Sequence, residues 1–362
     1  MQSSQKSISK KLSNANKQQR VNNFDLLRFI FAFIVLLVHA HVLSGVESLS
    51  VLSQSLSSSI AVKSFFIVSG FLIFMSYENS HNTKNYFLKR VRRIYPAYFV
   101  VVFSCAVFGY ALSTYSITSY WSLDLLKYIV CNLLFLNFLS PSLPGVFEGN
   151  HLQAVNGALW TLKIEVMFYL FVPFAAITFR KFNRLGVILL FYAISILYSW
   201  LLLGKAKESG ASIYLELQRQ LPGQLTYFMA GAAAYYYYNY LRKFKVLAVS
   251  FALIVFLFKS SVPWLIFEPV VLAILVVSLA YLIPYLGNFG KYGDFSYGIY
   301  IAHFPILQTL IYYGLFNKSP WLALTLSSFL TLCVAFLLWH FIEKPFLRKS
   351  SHYVSFNSAP IL

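Results

Sequence analysis

Residues 24–44 read FDLLRFIFAFIVLLVHAHVLS, a run that is apolar at most positions. A stretch of about 20 apolar residues is long enough to cross the hydrocarbon core of a bilayer as a helix. Two of its residues, Arg28 and His39, are 11 positions apart. On a helix this spacing places them on one face, about 16 Å apart along the axis. Ionisable side chains are costly inside a membrane, so this shared face predicts a functional site. The alternative is that Arg28 reaches the membrane surface as an ordinary positive-inside residue and that His39 is a buried structural histidine.

Comparable apolar runs recur along the 362-residue chain, which is 59% hydrophobic and only 11% charged. A soluble domain carries about 25% charged residues, because its water-facing surface needs them. The sequence therefore predicts an all-α, polytopic membrane protein with about ten transmembrane helices. The predicted helices cover residues 24–44, 58–77, 94–113, 160–179, 186–203, 224–240, 246–259, 264–283, 295–316 and 321–342.

One further apolar stretch, residues 125–139, is too short to assign by hydropathy. If the basic tail is cytoplasmic, the first helix leaves the cytoplasm, the second returns to a basic loop at Lys84–Arg93, and the third leaves again. The helix from residue 160 ends in the basic segment 180–184, so it must start on the outside. This parity predicts a re-entrant or interfacial segment at 125–139 rather than a crossing.

The net charge of +18 follows the same topology. Of the 29 lysines and arginines, 20 lie in segments predicted to be cytoplasmic, as the positive-inside rule requires. The charge therefore predicts a multi-pass protein of the cell inner membrane, held in the lipid bilayer, with both termini cytoplasmic and no nucleic acid partner. The predicted organisation is a disordered cytoplasmic tail at 1–23, a membrane domain at 24–343 and a cytoplasmic C-terminal tail at 344–362.

The three cysteines lie in apolar runs without paired spacing, so neither a disulfide nor a metal site is predicted.

The basic loop contains Arg90 and Arg93, which are three residues apart. On a helical turn these two side chains project together and would form a clamp for phosphate groups. The alternative is that they only orient the protein in the membrane, which is the usual meaning of such a run.

The fourth predicted span begins near Trp160 and places Glu165 about 8 Å below its outer end. His39 lies on a helix that runs the opposite way, so the two side chains can lie at similar depth. A carboxylate beside an imidazole would fix its tautomer and raise its basicity. The alternative is that Glu165 pairs with Lys163 or caps a neighbouring helix, although residues two apart do not face each other on a helix.

The ninth predicted span contains Ser296, Tyr297, His303 and Pro305. Pro305 cannot donate a backbone hydrogen bond, so it kinks the helix and frees a carbonyl group one turn earlier. The hydroxyl and imidazole groups of this span are candidates for a site. The alternative is that the tyrosines pack in the core and that the histidine is a buried structural residue.

Taken together, these stretches resemble the acyltransferase family 3 membrane proteins, many of which O-acylate cell-surface polysaccharides. The resemblance covers about residues 22–347, and its motifs occur in the family's order. They are Arg28 with His39, Ser64-Phe-Phe-Ile-Val-Ser-Gly-Phe-Leu72, Arg90 to Pro96, Trp160-Thr-Leu-Lys-Ile-Glu165 with Phe168-Tyr169, Ser296-Tyr297 with Tyr300, His303 and Pro305, and Glu343-Lys-Pro-Phe346.

The resemblance implies a cytoplasmic acyl-coenzyme A donor, expected to be acetyl-CoA, and an acceptor on the far side of the membrane. His39 would be the catalytic histidine, Arg28 its partner and Glu165 the residue that orients it or shares its proton. Arg90 and Arg93 would bind the coenzyme A phosphates. The residues expected to bind substrate are Trp160, Tyr169, Ser296, Tyr297 and His303. Thr161 replaces a serine of many members but keeps the hydroxyl, and the chain looks like the stand-alone form without a fused hydrolase-like domain.

The expected function is an O-acyltransferase that moves an acyl group, in the first place acetyl, from acetyl-CoA to a hydroxyl of a cell-surface polysaccharide or its lipid-linked precursor. His39 would act as a general base or would carry the acyl group itself. A transporter or flippase for a lipid-linked or acylated molecule would use the same buried polar residues without covalent chemistry. A polysaccharide polymerase is disfavoured, because the long outer loop at 114–159 contains few charges.

Overall fold

The computed structural model describes residues 22–80, 82–281, 283–287 and 289–347. In this part of the chain the secondary structure is helical, without a strand. The longer helices are α1 Phe24–Ser44, α2 Ser58–Glu78, α3 Thr83–Phe108, α4 Leu123–Leu133, α5 Trp160–Lys181, α6 Arg184–Ser209, α7 Leu221–Tyr236, α8 Lys245–Leu257, α9 Trp264–Tyr281, α10 Ser296–Tyr312 and α11 Pro320–Leu337. Short helical segments cover Glu47–Leu49, Ser50–Ser55, Gly109–Leu112, Ile117–Tyr120, Asn137–Leu139, Gly157–Leu159, Ser212–Gln218, Tyr238–Lys243, Phe289–Lys291, Leu315–Lys318 and Lys344–Phe346, and a π-helical turn covers Leu338–Glu343.

The all-α, polytopic membrane fold predicted from the sequence is confirmed. Each of the ten predicted apolar segments overlaps one of these helices, and seven helical stretches in the described residues are long and apolar enough to cross a membrane. The other three helices, α7, α8 and α10, have 16, 13 and 17 residues. Helix α4 has 11 residues and is therefore about 16 Å long, about half the thickness of the hydrocarbon core. Its length agrees with the prediction that this segment does not cross.

Helix α3 begins at Thr83, 11 residues before its predicted start. The segment Lys84–Arg93 was predicted to be a loop because it is basic, but it continues the helix as its first turns. Asn82 caps this start, since its side chain accepts a hydrogen bond from the backbone N–H of Asn85 at 2.8 Å. Pro96 consequently lies inside the helix rather than at its beginning.

The predicted N-terminal tail at 1–23 lies outside the described residues, except for its last two. Asn23 belongs to the folded part: it is buried, and its side chain bonds the carbonyl oxygens of Leu279 and Pro284 at 3.3 Å. It also accepts a hydrogen bond from the backbone N–H of Leu286 at 3.0 Å. These bonds tie the start of α1 to the end of α9. The predicted C-terminal tail at 344–362 lies outside the described residues from 348 onward.

Helices α2 and α7 cross at very short range because each presents a glycine to the other. A Cβ atom on Gly70 would lie 2.0 Å from the carbonyl oxygen of Phe228, and one on Gly231 would lie 2.1 Å from that of Ile67. Small residues allow membrane helices to approach backbone to backbone, where dispersion contacts stabilise the pair. Beside this crossing, α1 packs between α2 and α10, and α10 packs against α11. The faces of α1 and α10 that pack against each other carry polar residues, among them His39 and His303.

Candidate active site

Two histidines from different helices meet in the interior of the protein. The Nδ1 atom of His39 on α1 lies 2.9 Å from the Nε2 atom of His303 on α10, and the rings are nearly parallel with centroids 5.2 Å apart. His303 is fully buried, whereas His39 is partly accessible. The partly accessible imidazole of His39 is therefore backed by a second imidazole that is fully buried.

The partners of His303 determine the proton positions when both rings are neutral. The Nδ1 atom of His303 lies 3.1 Å from the carbonyl oxygen of Ile299, which can only accept a hydrogen bond. Nδ1 of His303 therefore carries the proton and Nε2 is the acceptor. It follows that His39 donates from Nδ1, so its Nε2 atom holds a free lone pair. A histidine in this tautomer can take a proton or attack a carbonyl through Nε2.

The backbone next to His303 is shaped by Pro305. Because Pro305 has no N–H group, the carbonyl oxygen of Ile301 lacks its usual helical partner. The side chain of Asn156 supplies one, with its Nδ2 atom 2.8 Å from that oxygen. The prediction that Pro305 frees a carbonyl is confirmed, and the structure identifies the donor. The next residue, Gly157, has no room for a side chain, because a Cβ atom would lie 2.8 Å from the ring of Phe304.

Aromatic rings surround the histidine pair. The ring of Phe304 meets His39 edge to face, with centroids 5.6 Å apart, and Tyr300 lies beside His303 at 5.9 Å. The Tyr300 hydroxyl accepts a hydrogen bond from Thr161 at 2.8 Å. Thr161 thus uses the hydroxyl that the sequence comparison with serine led us to expect. The rings hold the imidazoles in place and limit the access of water.

A network of ion pairs lies at the end of the bundle where α1 and α10 begin. Asp294 precedes α10 and is 1% exposed, and its Oδ2 atom accepts hydrogen bonds from Arg28 at 2.5 Å and from Arg93. Arg93 also donates to Glu343 at 2.8 Å, which the π-helical turn after α11 brings into reach. As the 11-residue spacing predicts, Arg28 and His39 face the same neighbour, since one contacts the segment before α10 and the other contacts α10 itself.

Ser296 and Tyr297 serve the framework of this region. The Oδ1 atom of Asp294 accepts hydrogen bonds from the backbone N–H of Ser296 at 3.1 Å and from its hydroxyl at 2.5 Å, so one backbone donor at the start of α10 that lacks a partner within the helix is satisfied. The Tyr297 hydroxyl donates to the carbonyl oxygen of Ile94 at 2.9 Å. Both residues, like His303, are buried. In the structure these three residues make contacts inside the protein, and their expected role in binding substrate stays a prediction.

The two arginines predicted to form a clamp have different surroundings. Arg93 is engaged by the two carboxylates described above. Arg90 donates to the hydroxyl of Ser76 at 3.0 Å and lies 5.7 Å from the ring centre of Tyr169. Its Nε atom is buried and has no hydrogen-bond partner, and no carboxylate lies within 4.0 Å of it among the described residues. The side chains diverge because one turns toward α10 and the other toward α2 and α5.

Glu165 lies on the Arg90 side of the site and not against His39. Its Oε1 atom accepts a hydrogen bond from the hydroxyl of Tyr169 at 2.6 Å, four residues further along α5. The predicted contact of Glu165 with His39 is not made, because His303 occupies that position. Glu165 does not pair with Lys163 either, whose ammonium group lies 4.5 Å from the ring centre of Phe138.

Trp160 begins α5 at the opposite end of the bundle from Asp294 and is partly exposed. The guanidinium of Arg219 lies 6.0 Å from its ring centre. An exposed indole beside a cation offers an aromatic surface of the kind that sugar rings stack on, so the expectation that Trp160 contacts an acceptor stays a prediction. Within the described ranges, no group of three His, Cys, Asp or Glu side chains is arranged to hold a metal ion.

The sequence interpretation missed Asp294 and Asn156. Asp294 stands two residues before Ser296, at the position where acidic and amide residues cap a helix start, so a capping pattern could have pointed to it. Its contacts with two arginines depend on three distant segments and leave no local signal. Asn156 is likewise found only by asking which group satisfies the carbonyl that Pro305 frees.

An apolar cavity of about 280 Å³ lies between α3, α10 and α11. Its lining includes Cys105 and Phe108 from α3, Pro305 and Leu310 from α10, and Leu330 from α11. None of the predicted site residues lines it.

Comparison with known proteins agrees with the family motifs. A family model described as "Acyltransferase domain" matches residues 21–340. The chain belongs to this family, acyltransferase family 3, and is a membrane acyltransferase. It is 28% identical over 343 residues to an "O-acetyl transferase" of Shigella phage Sf6, covering 93% of this chain and 99% of the relative. It is 27% identical over 379 residues to "Nodulation protein 10" of Rhizobium leguminosarum bv. viciae, covering 95% of this chain and 98% of that one. No solved structure matches the chain.

Proposed function

We propose that this acyltransferase moves an acetyl group from cytoplasmic acetyl-CoA to a hydroxyl of a cell-surface polysaccharide or its lipid-linked precursor, in the inner membrane and with both termini cytoplasmic. The observation that carries the proposal is the His39–His303 pair, in which His39 donates from Nδ1 to His303 and keeps the lone pair of Nε2 for chemistry in the interior of the membrane domain. The name of the phage relative supports acetyl as the group transferred.

The arginine side of the site suits the donor. Coenzyme A carries several phosphate charges, and guanidinium groups bind phosphate through charge-assisted hydrogen bonds. Among the described residues, the buried Nε–H donor of Arg90 has no partner, and an unsatisfied donor of this kind gains from meeting an anion. The nucleotide would bind beside Arg90 at the cytoplasmic end, and the pantetheine arm would carry the thioester toward His39.

His39 can act by two routes. In the first, Nε2 removes the proton of an acceptor hydroxyl while the hydroxyl oxygen attacks the thioester carbonyl. The carbon–sulfur bond then breaks, and the imidazolium returns the proton to the departing thiolate. In the second, Nε2 itself attacks the thioester, and coenzyme A leaves as a thiolate that takes a proton from water. The acceptor hydroxyl then attacks the acyl-imidazolium; the bond from carbon to Nε2 breaks, and the hydroxyl proton passes to Nε2 and on to water. In both routes His303 accepts the hydrogen bond from Nδ1–H and so stabilises the positive charge that forms on His39.

The test uses full-length protein reconstituted in liposomes, with acetyl-CoA labelled in the acetyl group and a lipid-linked glycan extracted from the host as acceptor. We expect base-labile label on the glycan with wild-type protein and none with His39→Ala. The matched control is His41→Ala: its Nδ1 atom bonds the hydroxyl of Ser53 at 2.8 Å, away from His303, so transfer should persist.

Three results would contradict the proposal. Transfer retained by His39→Ala would exclude its catalytic role. Label that crosses the membrane without becoming covalently attached would indicate a transporter. Absence of transfer to any glycan, with protein that binds CoA, would exclude the acceptor class. Rapid quenching of a single turnover separates the two routes, since only the covalent one leaves label on the peptide that contains His39.

A further inference from the structure

At the cytoplasmic end of the site, side chains from several helices contact the carboxylate of Asp294. Its side chain is 1% exposed, and its two oxygens divide their contacts. Oδ2 accepts from Arg28 on α1 and from Arg93 on α3, while Oδ1 accepts from the backbone N–H and the hydroxyl of Ser296 at the start of α10. One carboxylate therefore joins three helices, two of which carry the histidine pair.

The charges of this network balance without Arg90. Arg28 and Arg93 contribute two positive charges, and Asp294 and Glu343 contribute two negative charges. Buried charges are stabilised by pairing and hydrogen bonds, and each guanidinium of this network meets a carboxylate, while the Oε1 atom of Glu343 is buried without a hydrogen-bond partner among the described residues. The guanidinium of Arg90 stays outside the network, against Ser76 and the Tyr169 ring.

We propose that Asp294 is the positioning residue of the donor site, holding Arg28 and Arg93 in a neutral network so that Arg90 alone takes the donor phosphates. The proposal rests on the proposed function, because it assumes that coenzyme A is the donor. It gives the two arginines of the Arg90–Arg93 pair separate tasks, since Arg90 binds the anion and Arg93 fixes α3 against α10. Asp294 touches no substrate and acts through these residues.

Loss of the Asp294 carboxylate should have two opposite effects: coenzyme A binds more tightly, and acetyl transfer becomes slower. Asp294→Asn removes one negative charge but keeps the size of the side chain, so Arg28 and Arg93 gain an uncompensated positive charge. A polyanion such as coenzyme A is attracted more strongly by that charge. At the same time the arginines are no longer held, so the donor binds in positions from which the thioester does not reach His39. Misplacement by about 1 Å is enough to lower a rate by about a hundredfold.

The experiment measures CoA binding and single-turnover acetyl transfer with full-length Asp294→Asn in detergent, normalised to folded protein. We expect CoA to bind at least about threefold more tightly, with this gain disappearing at high salt, while the transfer rate falls at least about tenfold. In Arg28→Gln/Asp294→Asn, where the charge is balanced again, CoA affinity should return to the wild-type value and the transfer rate should stay low. Asp294→Glu should recover part of the rate.

The matched control is Glu268→Gln, which removes another buried carboxylate. Glu268 bonds Lys63 at 2.8 and 2.9 Å and the Tyr227 hydroxyl at 2.8 Å, and it joins α2, α7 and α9 rather than the donor site. It should lower thermal stability without changing CoA affinity. The proposal is overturned if Asp294→Asn loses activity only in proportion to folded protein with unchanged CoA affinity, or if it changes neither quantity. If the wild-type protein itself neither binds CoA nor uses acetyl-CoA, the proposed function fails instead.

Discussion

His39 and His303 are joined through Nδ1 and Nε2 at 2.9 Å, and the second ring is anchored by the carbonyl oxygen of Ile299 in its own helix. The orientation of the accessible imidazole is thus set by α10, not by α1 on which it lies. The arrangement follows the logic of a catalytic triad, in which a third group fixes the tautomer of the histidine and stabilises its charged form. Here the backbone carbonyl of Ile299 takes the final position in the chain of hydrogen bonds.

Substitution of His303 should reduce turnover without changing substrate binding. In His303→Leu, the Nδ1–H of His39 loses its acceptor, so the tautomer is no longer fixed and the imidazolium is less stable. We expect kcat to fall by about a hundredfold or more, the usual contribution of a positioned acid–base group, with KM for acetyl-CoA changed little. His303→Gln can still offer an amide oxygen to Nδ1 and should retain several-fold more activity than His303→Leu. Equal losses in the two variants would exclude the hydrogen bond as the cause.

Arg90→Gln should weaken the binding of acetyl-CoA. Hydrogen bonds to charged groups contribute about 1.5–3 kcal/mol, so KM is expected to rise by about tenfold to a hundredfold with a smaller change in kcat. The comparison is Arg93→Gln, which leaves Asp294 and Glu343 facing each other without their shared cation. The main effect of Arg93→Gln should be a loss of thermal stability and abundance, rather than a rise in KM for acetyl-CoA. A large rise in KM for Arg93→Gln, with stability unchanged, would show that Arg93 binds the donor phosphates.

The sequence predicted the elements that depend on local pattern. Apolar length located the ten segments, and the 11-residue spacing placed Arg28 and His39 on one face, because both signals are carried within single helices. The family motifs named the candidate residues, of which His39 and His303 meet in the structure. Tertiary partners were not predictable in the same way: Glu165 has the chemistry to serve His39, but the position beside that ring is taken by His303, which is 264 residues away.

The basic segment Lys84–Arg93, at the start of α3, shows the same limit. Its charges indicated a loop and a two-arginine clamp, but Asn82 caps a helix there, and the helix turns Arg93 toward Asp294 and Glu343. Positive charge in such a segment indicates the orientation of the protein in the membrane, but it does not predict which carboxylate each guanidinium contacts. That depends on how α10 and the π-helical turn after α11 pack against α3.

The hydrogen bond from Asn156 to Ile301 can be tested by a double-mutant cycle. Asn156→Leu leaves the carbonyl oxygen of Ile301 buried and unsatisfied, which costs about 1–3 kcal/mol and should lower the melting temperature measured in detergent. Pro305→Ala restores an N–H group that can bond this carbonyl within the helix. In the Pro305→Ala background, Asn156→Leu should therefore cost much less. Equal costs in both backgrounds would show that Asn156 acts through some other contact.

The α2–α7 crossing should tolerate no side chain at its glycines. In Gly70→Ala the new methyl group would lie 2.0 Å from the carbonyl oxygen of Phe228, and in Gly231→Ala it would lie 2.1 Å from that of Ile67, so the helices must separate. Backbone atoms cannot move aside as a flexible side chain can, and overpacking of this kind costs at least about 1–3 kcal/mol. We expect each variant to accumulate poorly in the membrane. Gly204→Ala on α6, where no atom lies within 4 Å of the added methyl, should accumulate like the wild type, and equal abundance of all three variants would contradict the close crossing.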